Sequence, residues 1–296
     1  MNTQTPWSAG NLSLSKGPRR LLFGQMYEDA EVERRAFKGR GRVFCIASAG
    51  NTARRLAEAH EVVACDINPV QLAYAERRAN GGPAENGDAE RVMRFARALM
   101  FMAGWRKDVV LAFLTLSNVS EQTSFWRRHL DTQRFRAGFD ALMSRVMLRA
   151  VYSTHLLSFL PLKFGPVMRK RLERGFARHA NASNPYIQAL LLGETIDEPR
   201  ASAAKMQFVR GDAASVLESC AAGSFEGFAL SNILDGAPTA YRERLARAVR
   251  RAGTDDAFVV WRSFAEASAE ISTNYAESDR SMLWGVVEIR NAQTFG

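Results

Sequence analysis

Cysteine is scarce in this chain. Three residues in 296, Cys45, Cys65 and Cys220, without a Cys-x-x-Cys pair, supply neither a disulfide framework nor a structural zinc site. The first two fall in apolar runs, which reads as buried free thiols in a reducing compartment. Long hydrophobic stretches are also missing: nowhere do ~18 consecutive apolar residues occur, so no segment reads as a membrane-spanning helix. Met1 to Lys16 lacks the apolar centre of a signal peptide, and the expectation is a cytoplasmic protein that meets a membrane at most peripherally. A Gly-x-Gly-x-x-Gly turn is absent too, which disfavours a dinucleotide, whose pyrophosphate needs that close approach to a helix N-terminus.

What is present is a chain with 47% hydrophobic residues, enough for one large core or two modest ones. Its sharpest local signal is the apolar run Val43 to Ala47 ending in Ser48-Ala49-Gly50-Asn51, followed by a helical stretch and a second run, Val62 to Cys65, ending in Asp66-Ile67-Asn68. A strand, a turn of small residues, a helix and a strand closed by an acid is the layout of a nucleoside-binding βαβ unit. Small residues admit the ligand to the backbone, and Asp66 stands where a carboxylate accepts both ribose hydroxyls. The same turn also enters helices in α/β proteins that bind no nucleotide. A cofactor without a pyrophosphate, such as S-adenosylmethionine, tolerates the looser turn.

Forty Lys plus Arg against 31 Asp plus Glu leave a net charge of +9. The excess gathers between Arg127 and Arg178, interleaved with Phe125, Trp126, Phe135, Phe139, Phe164 and Phe176. Such a mixture suits either lipid headgroups, a cap over a cofactor, or a solvated basic face over a core. No RNA-binding module is recognisable, so no nucleic-acid partner is expected.

Along the chain, residues 1–20 read as a flexible arm, and 21–38 as a short segment ending in a helix with acids at its start. The first βαβ runs from Arg42 to about Arg78, with Pro69 opening its second helix. Residues 88–180 show helical spacing, broken near Gly104, Gly138, Pro161 and Gly165-Pro166, and form an expected cap insertion. Strand patterning resumes at 206–210, 227–231 and 257–262, with a final strand pair expected around 282–289. The expected fold is therefore α/β: a Rossmann-like, doubly wound sheet of the class I methyltransferase type, built from 21–87 and 181–296 and interrupted by the helical cap. Ligands in such sheets bind beyond the carboxyl ends of strands, where Ser48, Asp66, Asp212-Ala213, Ser231-Asn232 and Arg262 fall. Asp212 suits either the adenine amino group or a helix N-cap.

With those strand ends placed, the sequence resembles the betaine-lipid aminocarboxypropyltransferase family of S-adenosylmethionine enzymes. The likeness rests on Gly24-Gln25-Met26-Tyr27-Glu28-Asp29, Ile46 to Asn51, Asp66-Ile67-Asn68, Asn184-Pro185-Tyr186, Leu230 to Asp235, Trp261-Arg262-Ser263 and Asp279-Arg280-Ser281. It spans about residues 21–290, and this chain is shorter than typical members, mostly in its lead and helical middle. The family's Tyr-Gly-Gly after Asp-Arg-Ser is only partly kept, as Met282-Leu283-Trp284-Gly285.

The resemblance implies S-adenosylmethionine as cofactor, held by Gln25, Ser48, Gly50, Asn51, Asp66, Asn68, Gln71, Asp212, Ala213, Ser231, Asn232 and Arg262. It implies attack on the γ carbon of the methionine arm, not the methyl group, with release of methylthioadenosine. Arg262 is the candidate partner of the arm's carboxylate, or else one half of a surface ion pair. Tyr27, Glu28 and Asp29 close over the sulfonium and offer a base, or else cap the following helix; Asp235 is a second base. His155 and His179 read as structural. The acceptor is a lipid hydroxyl or another small molecule. Alternatively the cofactor's own amine attacks its γ carbon to give azetidine-2-carboxylate, a route that needs no acceptor pocket. An ordinary methyltransferase, or a cofactor- or RNA-binding module without transfer chemistry, are the remaining alternatives.

Overall fold

The computed structural model describes residues 19–100, 102–149, 157, 160–196, 203–268, 271 and 273–296. The expected N-terminal arm up to residue 18, and His155, lie outside them. Six strands form one sheet in the order β3-β2-β1-β4-β5-β6: β1 Arg42–Ile46, β2 Glu61–Asp66, β3 Met206–Arg210, β4 Phe225–Ala229, β5 Gly253–Ser263 and β6 Val286–Asn291. The first five run parallel and β6 is antiparallel to β5. Where a final strand pair was expected, a single strand forms; residues 282–285 follow a turn closed by Met282 N–H on Asp279 O and are irregular, Met282 taking φ 63° and the Gly285 N–H reaching Ser263 O.

Strand alternation sets the two faces. Phe44, Val63, Cys65, Phe228 and Val259 point to one side, under α11 (Ala213–Ser219) and α12 (Thr239–Ala252). Val43, Cys45, Val62, Ala64, Ala229 and Val260 point to the other, under α1 (Glu31–Ala36), α2 (Asn51–Leu56) and α3 (Pro69–Ala79). Both faces are covered, as a parallel sheet requires. Pro69 opens α3 behind Asn68, whose side chain caps the Val70 N–H at 3.1 Å. The chain reverses direction across the sheet between β1 and β4, so their carboxyl ends flank the switch point where such sheets take ligands.

The stretch between α3 and β3 is helical where described: α4 Asp88–Met100, α5 Lys107–Leu114, α6 Val119–Phe125 running into a π turn at 126–130, α7 Gln133–Leu142, α8 Arg145–Arg149, α9 Phe164–Phe176 and α10 Pro185–Leu192. It has its own apolar core, in which Trp105 stacks on Phe135 at 4.5 Å and Trp126 meets Phe176 at 4.8 Å. Ile187 of α10 belongs to that core, so the helical packing continues past residue 180. Its seam with the sheet lies beyond β5: buried Arg171 donates to Leu283 O and Phe264 O, each at 2.9 Å, and Met282 fits against Gly175 so closely that a Cβ there would sit 2.2 Å from Met282 Cγ. Among the described residues no helix is long and apolar enough to cross a membrane.

Candidate functional site

The carboxyl ends of four strands, β1 to β4, and one strap enclose a cleft at the switch point. After β1 the backbone turns sharply: Ser48 has φ 43°, Gly50 has φ 83° and its N–H closes on Ala47 O at 2.7 Å. A left-handed residue packed this tightly against α3 favours glycine, because a Cβ on Gly50 would lie 3.2 Å from that of Ala75. The turn hands the Ser48 N–H to Asp66 Oδ2 at 3.0 Å, while the Asn68 N–H reaches Oδ1 at 2.8 Å. Both oxygens of Asp66 are thereby aimed, and each keeps a lone pair. Burial pushes its carboxyl up to about 6, so it is mostly ionised at neutral pH.

Residues 21–25 form the strap. Gln71 treats it as a strand edge: its Oε1 accepts from Leu22 N and Phe23 N at 3.0 and 3.2 Å, and its Nε2 donates to Phe23 O at 2.8 Å. Glu90, at the start of α4, gathers the N–H groups of Gly24 and Gly87 at 2.7 and 2.8 Å. Leu22 and Phe23 thus line the cleft together with Ile46, Ser48, Asp66, Ile67, Asn68, Gln71, Asp212, Ala213, Ser231, Asn232, Ile233 and Tyr241. Eight of the twelve expected cofactor residues meet there. Asp212 caps α11, accepting from Ala214 N at 3.1 Å and Ser215 N at 3.3 Å, and also lines the cleft, so the two roles expected of it are geometrically compatible. The chemistry of this wall fits a nucleoside: a carboxylate with free lone pairs beside flat apolar surface from Ile46, Ile67 and Ala213.

The other four expected cofactor residues have different employment. Gln25 spends its amide on Tyr27 OH, Glu194 O and Ile196 N. Gly50 makes the turn without lining the cleft, and Asn51 accepts from Met26 N at 3.0 Å. Arg262 departs most from expectation. It is fully buried; its Nε donates to Asp279 at 2.9 Å, its Nη2 to Glu33 at 3.0 Å and Asp29 O at 3.1 Å, and its Nη1 to Glu33. With every guanidinium nitrogen committed inside the protein, it does not offer the fork that a substrate carboxylate would need.

The acids split in the same way. Asp29 is bound at both oxygens by Arg280, at 2.6 and 2.7 Å; burial works to raise it, yet the guanidinium holds it below the ordinary carboxylate range. Tyr27 turns toward Tyr186, Ala189 and Ile196, and burial pushes its hydroxyl up to about 12. Glu28 is different. It lies 3.6 Å from Arg262, a guanidinium already matched to Glu33 and Asp279, and accepts a short hydrogen bond from Ser231 Oγ in the cleft wall. Burial, reinforced by the neighbouring acids, pushes Glu28 up to about 7. Asp235 accepts from Ser263 Oγ, Phe264 N and Asn232 Nδ2, and burial pushes it up to about 6. Glu28 and Asp235 therefore stand immediately behind Ser231 and Asn232.

The sequence reading missed Glu33 and Glu90, and named Asp279 only as part of the Asp279-Arg280-Ser281 motif without its role; these are the carboxylates that fix Arg262 and the strap. Glu33 is one of two acids in the first turn of α1, with Glu31, and helix-start acids are ordinary. Ile67 and Ile233 were also missed, though each directly follows an expected site residue. His179 sets Nε2 3.0 Å from Glu277 O, a structural contact. Cys45 and Cys65 are buried free thiols, and Cys220 is free and partly buried. No family model, curated protein or solved structure matches the chain. The class that fold and site define is thus an α/β protein with a Rossmann-like, mostly parallel sheet and, at its switch point, a largely apolar cleft that carries a few polar groups.

Proposed function

We propose that this chain is an S-adenosylmethionine-dependent 3-amino-3-carboxypropyltransferase with a methyltransferase-type fold, releasing methylthioadenosine. The observation that carries the reading is the presence in one cleft wall of Asp66, a ribose-type carboxylate at the end of β2, and of Ser231, bonded behind that wall to Glu28, a buried acid of near-neutral proton affinity. Asp66 holds the ribose and Ile46, Ile67 and Ala213 cover the base. Asn232, one of whose amide hydrogens is committed to Asp235, has a second to offer the methionine carboxylate in place of Arg262.

In the reaction the acceptor's lone pair forms a bond to the γ carbon, and the carbon–sulfur bond breaks with its electron pair going to sulfur. The acceptor's proton passes to Ser231 Oγ as that hydroxyl hands its own to Glu28, whose ionised form is available near neutral pH. The acceptor is a lipid hydroxyl or another small nucleophile.

A second reading is favoured by one observation: the described residues of 88–180 contribute none of the cleft's lining. Helices that do not reach the cleft form no acceptor pocket there, which suits an intramolecular reaction in which the ligand's own amine closes a four-membered ring. Both readings are tested by incubating the protein with S-adenosylmethionine alone and then with diacylglycerol-containing vesicles. Methylthioadenosine is expected in either case; azetidine-2-carboxylate without acceptor selects cyclisation, and turnover only with vesicles selects lipid transfer. S-adenosylhomocysteine as product sinks both.

A further inference from the structure

Charge is unevenly spread over the molecule. Residues 88–180 hold 17 of the 40 Lys and Arg but 7 of the 31 Asp and Glu, leaving the remainder nearly neutral. The bias peaks between 132 and 172, where eight basic residues accompany one acid, Asp140, and Arg169 binds that acid at both oxygens.

Within this stretch α8 stacks on the turn that precedes α9. Arg145 Nη2 donates to Leu160 O at 3.1 Å, and Leu148, Leu157, Phe164 and Met168 form one apolar cluster beneath. Other aliphatic side chains of the same two segments are left in water: Val146 is 76% exposed, Met147 48% and Leu162 81%. Arg149 and Lys163, both exposed, follow directly in the chain. Exposed apolar side chains gathered on adjoining segments and rimmed by polar residues mark an interaction surface.

The mixture selects among coverings. A nucleic acid would use the basic side chains but wants aromatic platforms, and the exposed apolar groups here are aliphatic. A second copy would bring like charges face to face. A bilayer with anionic headgroups satisfies both features, since aliphatic side chains enter the headgroup boundary while Lys and Arg meet phosphates. We propose that α8 and the 160–163 turn dock on an anionic lipid surface, Val146, Met147 and Leu162 inserting and Arg149 and Lys163 pairing with headgroup phosphates. This docking stands independently of the reaction in the cleft.

The test is cosedimentation of the full chain with phosphatidylcholine vesicles with and without phosphatidylglycerol. Binding is expected only with the anionic lipid, falling as salt rises. Val146→Asp with Leu162→Asp should weaken it by roughly tenfold or more, and Arg149→Glu with Lys163→Glu by a similar factor. All four positions are exposed, so thermal unfolding should not change. Three outcomes overturn the proposal: no binding to anionic vesicles, equal binding by the variants, or a concentration-dependent dimer that these substitutions abolish.

Discussion

Ser231 Oγ donates a hydrogen bond to the Glu28 carboxylate, joining residues 203 positions apart. Ser231 adopts φ 52° to do so, a left-handed conformation that costs a non-glycine residue of order 1 kcal/mol. The turn after β4 therefore bends its backbone to bring a hydroxyl of the cleft wall to a buried acid behind it. On the other side the Tyr186 hydroxyl donates to Glu28 O at 2.8 Å, so backbone and side chain of Glu28 are both held.

Glu28→Gln tests the base. The amide keeps the shape and can still accept from Ser231, so binding of S-adenosylmethionine by calorimetry should stay within a few-fold of wild type. Methylthioadenosine release should fall by about a hundredfold or more, the usual weight of a positioned base. A wild-type rate would remove Glu28 from the chemistry.

Asp66→Asn tests the ribose site. The replacement retains one oxygen for either Ser48 N or Asn68 N but loses the charge that strengthens both ribose contacts. Charge-assisted hydrogen bonds are worth roughly 1.5–3 kcal/mol each, so calorimetric affinity should drop by about ten- to a hundredfold. Unchanged affinity would refute this placement of the ribose.

The contrast between Asp66 and Arg262 shows what a sequence can reveal. Strand ends were readable because apolar alternation stops at them, and Ser48, Asp66, Asp212, Ser231 and Asn232 all lie there and line the cleft. Arg262 also lies at a strand end, and its position alone suggested a ligand-binding fork. Its true partners, Glu33 and Asp279, come from α1 and the segment before β6, 229 and 17 residues away, and no local pattern announces such a pairing. The helical middle was likewise legible as helical, whereas its seam beyond β5 depends on Arg171 meeting the backbone carbonyls of Phe264 and Leu283, contacts that carry no sequence period.

Arg262→Met follows from that pairing. Removing the guanidinium leaves Glu33 and Asp279 buried without their counter-charge, and breaking a buried pair costs about 3–5 kcal/mol. Chemical denaturation should show a loss of that size. If Arg262 instead served a ligand, the variant would keep its stability and lose only affinity, and this account of the buried network would fall.

Acidity gives the last prediction. Glu28, Asp66 and Asp235 hold protons more tightly in the folded chain, at about 7, 6 and 6, than at their ordinary values of 4.5, 3.8 and 3.8, in each case because burial disfavours the charge. The folded state then binds more protons than the unfolded one between about pH 4 and 7, so stability from these groups must decline as pH rises through that window and level off above it. Asp29, held low by Arg280, acts oppositely, and its contribution is lost only as pH falls below its ordinary value of 3.8. Unfolding free energy should therefore be lower at pH 8 than at pH 5 by roughly 5 kcal/mol, about half of it from Glu28, and Glu28→Gln, which carries no such charge, should recover that part of the difference. Catalysis runs the other way, since the base must be ionised: the rate should climb through about pH 7 while stability falls. Urea titrations across this range, paired with a pH–rate profile, check both slopes; a stability that rises from pH 5 to 8 would show that these carboxyls are not buried as described.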